Sequence, residues 1–262
     1  MKEQIVKFLP TECPWRDTLH WFDEVASTNA MAKDLAKQGA PQGTVLIAGS
    51  QTGGRGRMGR SFASPKGKGL YLSLILRPNC PAEKLMHLTC AVGVAVCDAV
   101  EEIAGVRPGL KWINDLILGK KKLGGILTEL CVEDGLVAYA IVGIGINCSQ
   151  KLEDFPEEIQ DIAVSLDAFT GKPTSLPMLT GCLISHLYEM NRCLFSSDFM
   201  TAYRKDCITL GQDISIVKGD SIAHGKAVDL DAQGGLLVQY PDGTKETVQS
   251  GEVSVRGMYG YL

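Results

Sequence analysis

Arg55, Arg57 and Arg60 stand in a glycine-rich run, QTGGRGRMGRSFASPKGKG, that spans residues 51–69. Guanidinium groups spaced among glycines suit a polyphosphate. The forks bond anions bidentately, and glycine backbone lets main-chain N–H groups approach the same ligand. No acidic residue falls between Asp34 and Glu83, whereas Lys37, Arg55, Arg57, Arg60, Lys66, Lys68 and Arg77 all do. Formal net charge is −4 at pH 7, so this basic block is local. A solubilising surface loop is the plainer reading of the same composition.

Of two specific readings of the run, a P-loop fails and RNA binding is disfavoured. Gly54–Ser61 approximates G-x-x-x-x-G-[K/R]-S, but Arg60 stands where a P-loop needs lysine. Phe62-Ala63-Ser64-Pro65 and two further glycines follow, where that motif must open a helix. Single-stranded RNA binding would need stacking faces, and only Phe62 and Tyr71 offer them in a chain of negative charge.

Other polar residues interrupt apolar stretches. Lys111, Asn114 and Asp115 lie in GLKWINDLIL, and Lys122 precedes Leu123-Gly124-Gly125. A buried Asn-Asp pair needs hydrogen bonds or a metal, although Asn-Asp also makes an ordinary turn and KKK an ordinary hairpin tip. Ser27-Thr28-Asn29 precedes an alanine-rich segment, where an N-cap explains it and a ligand could share the donors. Gly143-x-Gly145-x-Asn147 ends an apolar run.

The elements that position these residues follow from periodicity. Residues 1–20 read as a loose lead-in broken by Pro10 and Pro14, and Trp21–Val25 as a short strand. A helix follows Ser27-Thr28-Asn29 and ends at Gly39 and Pro41. Strands at Thr44–Ala48 and Leu70–Leu76 flank the basic run. A long helix is expected from Pro81 to Ala104. Strands are expected at Leu110–Ile113, Leu116–Leu118, Leu123–Leu130 and Leu136–Asn147. Residues 150–208 read as helical, with segments at Ala163–Phe169, Pro177–Phe195 and Phe199–Cys207. Beyond Gly211 short alternating strands take over, with turns at Lys218-Gly219-Asp220, Gln233-Gly234-Gly235 and Pro241-Asp242-Gly243. The expected division is residues 1–210 and 211–262, the second a small antiparallel β unit.

Composition narrows the class. The 262 residues are 45% hydrophobic and 21% charged, which suits one large domain and a small one. No apolar run approaches the roughly 20 residues of a membrane span. The N-terminus lacks the apolar core of a signal peptide. Nine cysteines without a C-x-x-C pair point to reduced thiols in a cytoplasmic protein. The four histidines show no metal-ligand spacing.

Taken in order, STN (27–29), QTGGRGRMGR (51–60), KWIND (111–115), KKLGG (121–125) and GIGIN (143–147) resemble biotin protein ligase. The resemblance implies an α+β fold: a mixed central β-sheet with flanking helices, class II synthetase-like, then a small SH3-like β-barrel. About twenty residues precede the core, too few for the N-terminal helix-turn-helix of repressor members, so a monofunctional enzyme that binds no DNA is expected. The implied reaction joins biotin and ATP into biotinyl-5′-AMP and transfers biotin to a lysine of a carboxylase's biotin carrier domain. Ser27, Thr28, Asn29 and Gln51 would surround the biotin ring, with backbone from Arg55 through Gly56 to Arg57 and with Gly125 on the wall. Arg57 and Lys122 would bracket the biotin carboxylate and α-phosphate. Arg60, Phe62, Lys111, Asn114 and Asn147 would serve ATP, with Asn147 on the adenine. Asn114 and Asp115 would hold magnesium, and Asp115 is also a candidate base for the acceptor lysine. Phe62 stands where some members carry tryptophan, and Met58 where some carry a third arginine.

The residue types fit that chemistry. A carboxylate attacking a phosphate brings two anions together, a repulsion of about 4 kcal/mol at 4 Å for an effective dielectric near 20. Fixed cations lower it, and magnesium shields the pyrophosphate. The run at 51–69 is expected to be mobile when empty and to order over the adenylate. Two alternatives stay open: a lipoate–protein ligase or octanoyl transferase of similar fold, the latter using a cysteine–lysine pair, and a biotin-sensing protein without turnover. Strand edges near residues 111–118 and 139–147 are candidates for homodimer pairing.

Overall fold

The computed structural model describes residues 1–196, 198–218, 221–249 and 252–255. Among the described residues the chain forms twelve strands and six α-helices. In order they are α1 (Lys2–Val6), β1 (Leu19–Phe22), α2 (Thr28–Lys37), β2 (Thr44–Ala48), β3 (Gly69–Leu76) and α3 (Leu88–Ala104). Next come β4 (Gly109–Lys111), β5 (Asp115–Leu118), β6 (Lys121–Glu133), β7 (Leu136–Asn147), α4 (Leu166–Thr170), α5 (Leu176–Arg192) and α6 (Asp198–Asp206). The last strands are β8 (Asp213–Lys218), β9 (Ser221–Leu230), β10 (Leu236–Gln239), β11 (Lys245–Val248) and β12 (Glu252–Val255).

Seven strands form a mixed sheet in the order β1-β2-β3-β7-β6-β5-β4, with only β1 and β2 parallel. Helices cover both faces. Along β3, Leu70, Leu72, Leu74 and Leu76 enter the larger core under α3 and α5, as do Ala140, Val142, Ile144 and Ile146 of β7. The alternate residues Ile75 and Ile141 join Ala32 and Ala36 of α2 in a smaller core on the other face. Side chains on a strand alternate between faces, so β3 and β7 are buried on both sides and read as almost continuous apolar runs. Residues in phase with Ile75 and Ile141 are Tyr71 and Ser73 on β3 and Gly143, Gly145 and Asn147 on β7. That face carries the site.

Several expectations need correction. The first twenty residues are not loose: α1 buries Ile5, a 3-10 turn at Pro14–Arg16 buries Trp15, and both residues join the larger core. The first strand ends at Phe22 instead of running to Val25. The long helix starts at Leu88, after a separate 3-10 turn at Ala82–Leu85, and Gly105 ends it in the left-handed conformation glycine favours. Residues 152–159 make two 3-10 turns, and α4 begins at Leu166, capped by Ser165, not at Ala163. Strand β7 is internal over residues 140–147, paired with β3 on one side and β6 on the other, so that stretch offers no free edge. The β4 edge is also met, because Ile208 N–H donates to the Leu110 carbonyl at 3.0 Å.

The closing strands form a five-stranded antiparallel sheet, β11-β10-β9-β8-β12. This is the small antiparallel β unit expected, and its ends, β11 and β12, do not pair with each other among the described residues. The turn expected at Lys218-Gly219-Asp220 lies partly outside the described residues. Of the other two, Asp231 accepts from the N–H groups of Gln233 and Gly235, and Asp242 from that of Thr244, which makes both turns side-chain-closed.

Candidate functional site

Missing side chains open the cleft. On the α2 face Gly125, Gly145 and Tyr71 lie in one cross-strand row, and Leu127, Gly143 and Ser73 in the next. A Cβ on Gly143 would stand 2.1 Å from Asn29 Oδ1, and one on Gly145 would stand 2.6 Å from the Phe62 ring. The α2 N-terminus and the Phe62 ring therefore sit where side chains would otherwise project. The cleft is open to solvent, and its empty space counted with the mouth is about 1010 Å³.

The basic run closes over this floor as a hairpin. Arg55 pairs with Ser61, Gly56 N–H donates to the Arg60 carbonyl at 2.7 Å, and Phe62 N–H to the Gly54 carbonyl at 2.9 Å. Tyr71 O–H donates to the Pro65 carbonyl, holding the exit. Arg55, Gly56, Arg57, Arg60 and Phe62 all line the cleft, as does Met58 at the hairpin tip. Two other members of the basic block do different work. Arg77 donates to the carbonyls of Ala36 and Ala40, closing the end of α2, and Lys68 pairs with Asp154 at 3.2 Å.

The opposite wall comes from β4–β6. Arg57 donates to Asn114 Oδ1 at 3.0 Å, and Lys122 Nζ lies 2.6 Å from Asp115 Oδ1. Lys111, Asn114, Asp115, Lys122 and Gly125 all line the cleft, and Lys111 is buried. The guanidinium of Arg57 thus meets the Asn-Asp pair and Lys122 across one opening. Asp115 Oδ2 has no hydrogen bond among the described residues, so one carboxylate oxygen could meet a hard cation, whereas Asn114 Oδ1 already accepts from Arg57.

At the inner end a buried polar chain runs beneath α2. Gln51 Oε1 accepts from Thr28 N–H at 2.9 Å and from Thr28 Oγ1 at 3.1 Å, while Gln51 Nε2 donates to Ser64. Ser73 Oγ lies 2.8 Å from Thr28 Oγ1 and 2.6 Å from Asn29 Oδ1. Asn29 Nδ2 donates to Glu129 Oε2 at 3.0 Å, and Glu129 is paired with Lys33 at 2.6 Å. Ser27 accepts from Ala30 N–H as the N-cap of α2. Ser27, Thr28, Asn29 and Gln51 line the cleft, so the N-cap of α2 also faces its opening.

One expected residue lies apart. Asn147 is buried at the end of β7, outside the cleft lining, with its Nδ2 donating to the Val164 carbonyl and its Oδ1 accepting from Gln150. Gln150 Oε1 is buried without a hydrogen-bond partner among the described residues. Sequence reasoning missed Ser73, Glu129 and Trp112. Trp112 lines the cleft while its Nε1–H donates to the Gly234 carbonyl of the C-terminal unit at 2.8 Å. The KWIND motif contains it, and that was the available signal.

Comparison with known proteins gives the family. Residues 21–147 match the Biotin/lipoate A/B protein ligase family, and residues 209–256 the biotin protein ligase C-terminal domain. The bifunctional ligase/repressor BirA of Bacillus subtilis is 36% identical over 231 residues, 87% of this chain and 71% of that protein. The biotin–[acetyl-CoA-carboxylase] ligase of Mycobacterium tuberculosis is 32% identical over 247 residues, 91% of this chain and 89% of that one. Biotin protein ligase from Aquifex aeolicus, solved with biotin and ATP, superposes with a TM-score of 0.77 at 34% identity, covering 91% of this chain and 98% of that one. With likeness of this order across both sheets, the chain belongs to the biotin protein ligase family.

Proposed function

We propose that the cleft divides the family's reaction between a neutral, hydrogen-bonding inner end and a cationic mouth. The protein is an ATP-dependent biotin ligase. It forms biotinyl-5′-AMP with release of pyrophosphate, then transfers biotin to an amine. In the first step a biotin carboxylate oxygen bonds to the α-phosphorus while the bond to pyrophosphate breaks. In the second the lysine nitrogen attacks the acyl carbon, AMP departs and the ammonium proton is lost.

Within that scheme Ser27, Thr28, Asn29 and Gln51 present the biotin ring with hydrogen-bonding groups, backbone from Arg55 to Arg57 closes over it, and Gly125 leaves room along the wall. Arg57 and Lys122 hold the biotin carboxylate and the α-phosphate. Arg60 faces the outer phosphates, Lys111 adds buried positive charge, and Phe62 lies against the adenylate. Asn114 and Asp115 hold Mg2+, which when bound shields phosphate charge. Asn147 meets the adenine only if its bonds to Val164 and Gln150 are exchanged for bonds to the base. Asp115 orients Lys122, and this pairing favours a positioning role over that of base in the second step.

The carrying observation is that Arg57 and Lys122 converge with Asn114 and Asp115 on one opening above a glycine-hollowed floor. Such an arrangement lowers anion-on-anion repulsion without a protein nucleophile. Among the described residues no cysteine lines the cleft, which disfavours the octanoyl-transfer alternative. The acceptor is a biotin carrier domain of a carboxylase. The proposal extends to action without DNA, in the cytoplasm, where seven buried unbridged thiols suit a reducing compartment. It also divides the chain near residue 210 and leaves a homodimer only routes other than β7. Incubation with biotin, MgATP and a carrier domain should raise the mass of that domain by one biotinyl group. Modification with lipoate in its place, or none with biotin, contradicts the reading.

A further inference from the structure

On the sheet face away from the cleft, α3 and α5 pack together and bring three metal-ligating side chains to one spot. Cys182 and His186 stand one helical turn apart on α5, the i, i+4 spacing that points two side chains the same way. Glu102 faces them from α3, with its Oε2 3.0 Å from His186 Nε2. The sulfur, ring nitrogen and carboxylate oxygen all lie within 4.8 Å of one another. Bond lengths of about 2.0–2.3 Å to zinc put neighbouring tetrahedral ligands about 3.3–3.8 Å apart, so the cluster needs only a small contraction.

We propose that Glu102, Cys182 and His186 bind a divalent transition ion of the zinc class and thereby tie α3 to α5. The donor set is mixed S, N and O, which a borderline ion accepts and magnesium or calcium does not. Glu102 and His186 are partly exposed, giving the ion a way in and leaving a fourth position for water, while Cys182 is buried behind them. Asp98, one turn before Glu102 on α3, is paired with Arg107 at 2.8 Å and adds only a small negative field at the thiol. Glu102 Oε2 meets His186 Nε2 at 3.0 Å, and the Cys182 thiol donates to the Ala99 carbonyl at 4.0 Å. Burial keeps the Cys182 thiol protonated without an ion; coordination converts it to thiolate and releases that proton to solvent. In the bland alternative these groups form only an ion pair beside a buried thiol.

Cobalt(II) titrated into the reduced full-length protein distinguishes the two. The proposal predicts sulfur-to-cobalt charge-transfer absorption saturating at one equivalent, displaced by zinc, and a rise in melting temperature with zinc. Cys182→Ala should abolish the absorption. His186→Gln, a partly exposed change that leaves the core intact, should weaken cobalt binding at least about tenfold. Absence of the band, its persistence in Cys182→Ala, or unchanged affinity in His186→Gln overturns the site. The last comparison decides even if the alanine variant does not fold.

Discussion

Lys122 reaches the Asp115 carboxylate at 2.6 Å across the β5–β6 hairpin, and on the adjoining residue Asn114 accepts from Arg57 at 3.0 Å. Both cations are therefore held before any anion enters, one from the β6 side and one from the hairpin above it. Substrate oxygens would replace protein oxygens around positive charges already in place, so little reorganisation accompanies the reaction.

Asp115→Asn keeps the shape of that partner and removes its charge. Adenylate formation should fall at least about tenfold as Lys122 loses its orientation. Transfer from preformed adenylate should keep its pH–rate profile. Loss of one limb of that profile would instead make Asp115 the base of the second step.

Ser73→Ala tests the buried chain under α2. Removing the hydroxyl leaves Asn29 Oδ1 without its shortest partner, which should cost about 1–3 kcal/mol in urea unfolding. Because Asn29 and Thr28 are both affected, KM for biotin should rise while KM for ATP stays near its original value. Equal changes in the two constants would show that the chain does not act on the biotin end alone.

Gly143→Ala attacks the same point from the sheet. Its Cβ would stand 2.1 Å from Asn29 Oδ1, so the α2 N-terminus must shift, an overpacking that should cost about 1–3 kcal/mol. A melting temperature and biotin KM both unchanged would mean that the amide has room to move.

How much of this could be read from the chain depends on distance in sequence. Strand β7 is expected and observed over Leu136–Asn147, because an apolar run bounded by Gly135 announces a strand covered on both faces. Most of the expected site residues line the cleft, carried by motifs whose members are close neighbours. Glu129 and Ser73 escaped because their roles exist only once β6, β7 and β3 align in register beneath α2. The first twenty residues were misread for a related reason. Pro10 and Pro14 do interrupt helix, but Ile5 and Trp15 are ordered by packing against distant elements, which propensity does not register.

Trp112→Phe keeps the ring that walls the cleft and deletes the donor to the Gly234 carbonyl. The loss should be about 1 kcal/mol, and amide exchange in β10 and β11 should quicken if this bond helps fix the C-terminal sheet. Unchanged exchange there would mean that other contacts suffice.

Arg57 and Arg60 offer cleavage sites for trypsin at the tip of the 54–62 hairpin. Cleavage there should slow in the presence of biotin and MgATP as the hairpin closes over the adenylate. Equal rates with and without the substrates would contradict closure.

The central claim concerns charge at the point of attack, and single-turnover formation of biotinyl-5′-AMP by Lys122→Ala at saturating biotin and MgATP tests it most directly. The account predicts a fall of at least about 100-fold. A rate within about twofold of the unmodified enzyme would show that the ammonium group does not stabilise the transition state.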